Sequence, residues 1–197
     1  MSDELAQQTK NAFDFVQKLY FETSYLIKEI EGLLQEEEEK FLIRKPGGYS
    51  ISTRSATGLE PINVDMWLMK YFTVFFAPES ATENYQGLTI TKLQDSLKII
   101  VVHIVFADKE VSEPKIIFGC LRNIKSKKKE YSKFENLLIE FSYNIKKVLS
   151  KLPNIDYEDI YCSFRGEFKQ VNLFSINNSD KVRSKIIEPL LELYRKS

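Results

Sequence analysis

The apolar residues of this chain change period at Phe41, and that change points to a helix laid against a sheet. Before it, Phe13, Val16, Leu19, Tyr20, Leu26, Ile27, Ile30, Leu33 and Leu34 recur at close to 3.6 residues. The pattern predicts one amphipathic helix over about 3–39, interrupted only by Gly32, which costs about 1 kcal/mol relative to Ala. More than eight turns is long for a helix that only packs on its own sheet. Its acidic end, Glu36 to Glu39, opposes the helix dipole, so the last turn either frays or is held by Lys or Arg.

After Phe41 the period is two. FLIRKPGGYSIST reads as a hairpin turning at Pro46-Gly47-Gly48. Strands follow around Met66 to Phe76, in LTITKL, in LKIIVVHIVF and in KIIFGCL, the third apolar on both faces and therefore central. Short connections between successive strands imply an antiparallel meander. A second helix carries the stripe Phe134, Leu137, Leu138, Phe141, Ile145, Val148, Leu149 and Leu152, and Pro153 stops it. IYCSFRGEFKQVNLF reads as one bent strand or two short ones. A last helix starts near Ser179 or Asp180 and is kinked or restarted by Pro189.

The fold expectation is therefore α+β over 1–197 as a single domain. It has a mainly antiparallel sheet of five to seven strands and three helices, in the order α-β(4–5)-α-β(1–2)-α. The lack of regular strand–helix alternation disfavours a doubly wound parallel fold. A chain of 197 residues can bury roughly 70% of its unfolded surface and needs no staple. Cys120 and Cys162 lie in apparent strands and read as small buried hydrophobes, not as a disulfide framework or a zinc site. The polar start MSDELAQQTK carries no apolar signal core, which points to a soluble protein of the cytoplasm or a host cytosol.

Lys+Arg and Asp+Glu are both 28, and this balance argues against a nucleic-acid face spread over the whole molecule. A local basic segment, Arg122, Lys125, Lys127, Lys128, Lys129 and Lys133, is a candidate for holding phosphates or an acidic partner. Its plainer reading is a solvated connection between strand and helix. Glu167-Phe168-Lys169 has the Glu-x-Lys spacing that puts a carboxylate and an ammonium on one side of a strand, as in metal-dependent nucleases. Asp156 or Asp159 would supply the further acid, and a divalent metal enters only on this reading; no other cofactor is expected. His103, the only histidine, falls on the strand face of Leu97, Ile99, Val101 and Val105, where a structural role competes with general-base chemistry. Arg44 to Tyr49 (RKPGGY) lacks Walker spacing and reads as a turn. The loop Gly58 to Asp65, with Arg54, Glu60 and Asp65 as polar groups, is a possible pocket border by position alone.

No catalytic constellation emerges. The expectation is a non-catalytic protein of regulatory or interaction type, binding a protein partner or its own copy through the long first helix. The alternatives are a metal-dependent nuclease using Asp156 or Asp159 with Glu167 and Lys169, and a nucleic-acid binder using the basic segment.

Overall fold

A computed structural model describes residues 2–44, 70–81, 97–107, 112–128 and 152–196 of the chain. Helix α1 spans Ser2–Gln35. The sheet comprises β1 (Phe41–Arg44), β2 (Tyr71–Pro78), β3 (Ile99–Val105), β4 (Lys115–Ser126), β5 (Asn154–Glu158) and β6 (Cys162–Asn172). The chain closes with α2 (Ser179–Val182), a π turn (Arg183–Ile187) and α3 (Glu188–Arg195). The strands lie in the order β1-β2-β3-β4-β6-β5, and every neighbouring pair is antiparallel. The α+β class and the antiparallel sheet agree with the sequence reading. The helix expected at 134–152, the strand LTITKL, the turn at 46–48 and the loop at 58–65 lie outside the described residues. So do Lys129 and Lys133.

Central β3 is buried along its whole length, as its unbroken apolar run predicts. On one face of the sheet, Val74, Phe76, Ile100, Val102, Ile116 and Phe118 pack with Ile27, Ile30, Leu33 and Leu34 of α1 and with Ile186, Leu190 and Leu191 near the C-terminus. Each such side chain contributes roughly 1.5–3 kcal/mol when fully buried. The opposite face carries a second buried cluster, including Phe75, Val101, Ile117, Leu121, Phe164 and Phe168.

Several boundaries differ from expectation for identifiable reasons. Helix α1 ends at Gln35, and the acids beyond it are clasped by the C-terminal helices. Glu36 pairs with Arg183 at 2.9 Å and Glu37 with Arg195 at 3.2 Å. The segment 122–126 is strand, not connection, because β6 pairs with it beyond a bulge between Arg122 and Lys125. Asn123 sits in that bulge at φ 53°, a left-handed conformation that Asn tolerates better than most residues. Asn178, one residue before the expected caps, accepts from the Lys181 N–H at 2.9 Å and starts α2. Pro189 has no N–H and its ring crowds the preceding turn, so the helix widens there. The Glu188 N–H reaches back to the Arg183 carbonyl, and α3 restarts with Pro in its first turn.

The close fit of β4 against β6 gives a test. A Cβ on Gly119 would lie 2.3 Å from the Glu167 carbonyl oxygen and 2.6 Å from the Phe168 ring, whereas one on Gly32 meets nothing within 4 Å. In urea denaturation, Gly119→Ala lowers stability by about 1–3 kcal/mol or more. Gly32→Ala raises it by up to about 1 kcal/mol. Effects of the same sign at both positions would contradict this packing.

Candidate interaction groove

The helical face of the sheet changes character between β4 and β6. Directly opposed residues share a face, so Phe118 and Cys120 lie beside Lys169 and Glu167, and Glu167 beside Asn154. The apolar helix-facing surface thus gives way to a polar strip that also holds Asp156 and Arg165. Three of the candidate nuclease residues therefore do share a face, with Asp156 one diagonal step from Glu167, about 7–8 Å. Each charge nevertheless has a partner in the chain. Asp156 pairs with Arg165 at 3.1 Å, Lys169 with Glu192 at 3.5 Å, and Glu167 with Lys196 at 3.7 Å. Among the described residues, no group of three or more His, Cys, Asp or Glu gathers as a metal site requires.

Asp159 stands apart and organises the β5–β6 turn. It accepts from the N–H groups of Tyr161 and Cys162 at 2.7 and 2.8 Å and from the Tyr157 hydroxyl at 2.7 Å. Burial works against its charge, but these donors and Lys127 outweigh it and hold the carboxyl below the usual range.

Two of the described basic residues serve the same turn. Lys127 pairs with Glu158 and donates to the Asp159 carbonyl at 2.8 Å, and Lys128 sits 4.6 Å above the Tyr161 ring. Arg122 donates to the Lys196 carbonyl at 3.1 Å, which helps cap the C-terminal helix.

His103 is buried, and its Nδ1 shares a 2.9 Å hydrogen bond with the Thr73 hydroxyl opposite it. The ring of Tyr71 lies 5.5 Å away. Cys120 and Cys162 are free and buried, and burial pushes the Cys120 thiol up to about 12. That thiol stays protonated and unreactive at neutral pH.

What the sequence does not reveal is a groove of about 710 Å³ between α1 and the β6–α2 connection. Phe15, Leu19 and Leu26 form one wall, and Leu173, Phe174 and Val182 the other. The second wall is braced: Asn172 accepts from the Phe174 N–H at 2.8 Å, and Ser175 donates to the Asn172 carbonyl at 2.8 Å. Glu29 ties the walls together by accepting from the Ser179 hydroxyl. Toward Ser2, α1 continues past the groove. Residues 3–15 are all exposed, including Leu5 at 63% and Phe13 at 68%. At 1.5 Å per residue this overhang is about 20 Å long. Although α1 has 34 residues, no helix among the described residues is long and apolar enough to cross a membrane.

The buried histidine sets a pH dependence. Burial, then the positive charge of Lys115, lower its pKa from 6.5 to about 4. An unfolded chain takes up this proton near pH 6.5 and the folded chain only near pH 4, so the contribution is complete above 6.5 and is lost as pH falls through that window. The full loss is roughly 3 kcal/mol. Denaturation curves of His103→Gln should lack this part of the acid slope, and slopes equal to the wild type would contradict the assignment.

No family model matches the chain, and neither a curated protein nor a solved structure does.

Proposed function

We propose that this chain is a non-catalytic interaction protein of regulatory type that binds a protein partner through the exposed surface of α1. One observation carries the reading. Five of the seven large apolar side chains exposed among the described residues, namely Leu5, Phe13, Phe15, Phe21 and Tyr25, stand on this one helix. So many exposed apolar side chains on one helix cost solubility unless something covers them, and exposed apolar surface of this kind commonly marks protein contacts. The groove adjoins this surface, and its lining mixes apolar side chains with Lys18, Glu22, Glu29 and Asn178. Such a lining suits an amphipathic helix better than a small charged substrate. The ion pairs of Asp156, Glu167 and Lys169 within the chain also favour an architectural role for the polar strip over a catalytic one.

The competing nuclease reading makes a separate prediction, divalent-metal-dependent cleavage that Glu167→Gln abolishes. A nucleic-acid role for Arg122, Lys125, Lys127 and Lys128 predicts binding that weakens as salt rises.

Site-specific photo-crosslinking in cells that express the chain tests the interaction reading. A photoreactive phenylalanine in place of Phe13 or Phe21 should give discrete protein adducts. The same group in place of Ile160, equally exposed but on the β5–β6 turn, should give few. Adducts at Ile160 and none on α1 would count against the proposal, as would metal-dependent cleavage lost in Glu167→Gln.

A further inference from the structure

We propose that Arg122, Lys125 and Arg165 bind one phosphate dianion, free or as a small monoester, on the sheet face beside the end of α3. The site shares no residue with α1, so it goes beyond the interaction reading and stands or falls separately.

Register brings these three cations to one face. Arg122 of β4 lies directly opposite Arg165 of β6, a pairing of like charges that destabilises a sheet. By simple alternation Lys125 would fall on the other face. The bulge instead sets three steps of β4, Arg122 to Lys125, against two of β6, Arg165 to Ser163. Lys125 therefore faces the same way as the two arginines, while Ile124 turns into the apolar cluster behind the sheet. Asn123 holds the left-handed conformation in this bulge, at φ 53°. Backbone strain that gathers like charges points to a ligand of opposite charge.

The spacing suits a single tetrahedral anion. Directly opposed side chains start about 5 Å apart, and diagonal neighbours such as Lys125 and Arg165 about 7–8 Å. Long side chains at that spacing converge on one group, and a guanidinium offers paired N–H donors to its oxygens. Donors are left over: Asp156 takes the Arg165 Nε and the Lys196 carbonyl takes one terminal nitrogen of Arg122, each at 3.1 Å. The Arg165–Asp156 pair lies at the surface, with side chains 63% and 70% exposed, and is weak for that reason. Lys125 is exposed too.

Charge selects the ligand class. Three cations less Asp156 leave two positive charges, which matches a phosphate monoester ionised twice. A nucleic-acid backbone fits less well. Along the strip, Lys127 pairs with Glu158 and Lys196 with Glu167, so neighbouring phosphates would meet cations already paired.

Titration calorimetry of the full chain with inorganic phosphate and with methyl phosphate at low salt tests the site. Both should bind once per chain with a Kd of about 1 mM or below. Binding of methyl phosphate should be several-fold tighter at pH 8 than at pH 5, because such an ester loses its second proton near about pH 6. Lys125→Gln and Arg165→Gln should each weaken binding about tenfold, and Asp156→Asn, which removes the competing carboxylate, should tighten it. Lys125 is outside the core, so Lys125→Gln should melt like the wild type and report binding alone. No saturable heat up to about 20 mM phosphate would overturn the site, as would unchanged affinity in both weakening variants. Tighter binding of a single-stranded oligonucleotide than of methyl phosphate, at equal phosphate concentration, would overturn it in favour of the nucleic-acid reading.

Discussion

The structure depends on the burial of one stripe of α1 against one face of the sheet. Ile30 and Leu34 are fully buried, as are Phe76, Ile100 and Val102 in the same cluster. This contact fixes where the helix lies, which half of it is covered and which half is left over. The C-terminal helices complete the layer and hold the end of α1. Tyr194 packs edge-on against Phe41 with ring centroids 4.9 Å apart, and Lys98 donates to the Tyr194 carbonyl at 2.9 Å. The ion pairs around Glu36 and Glu37 lie at the surface, with Glu37 half-buried, and are worth at most about 1 kcal/mol each, so they set alignment more than stability.

The same layer explains the polar strip. The helices cover β2, β3 and β4 but only begin to cover β6, so residues on that face turn polar where the cover ends. Lys169 and Glu167 mark the border by reaching Glu192 and Lys196 at the end of the chain. On the other face the apolar pattern continues outward to β5, where Tyr157 stacks on Phe164 with centroids 4.8 Å apart. Among the described residues β5 is the strand at one end of the sheet; it has 5 residues, and Asn154, Asp156 and Glu158 on one of its faces are polar, which blunts this edge against pairing.

Much of this was legible in the sequence, and what was not has physical causes. The alternation of Ile99 to Val105 was enough to place His103 on the face of Val101 and Val105, and spacing alone put Glu167 and Lys169 on one side of β6. Their partners, Glu192 and Lys196, come from a helix far along the chain, and local pattern carries no sign of such a pairing. Strand β4 reads as finished at Leu121 because Arg122, Asn123 and Lys125 break the apolar run. Pairing with β6 carries it on, which no propensity in the segment foretells. The π turn is a consequence of Pro189 that sequence announces only as a kink. The groove was invisible because its second wall, Leu173 to Val182, is brought to α1 by the fold, although the surplus length of α1 was readable from the start.

The central claim is that α1 is two things in one rod, an anchor from about residue 19 onward and an uncovered contact surface before residue 16. Amide hydrogen exchange resolved along α1 at several protein concentrations tests it most directly. The account predicts strong protection of residues 20–34 at every concentration. Residues 3–15 should exchange fast in dilute protein. Strong protection of residues 3–15 in dilute protein would contradict it.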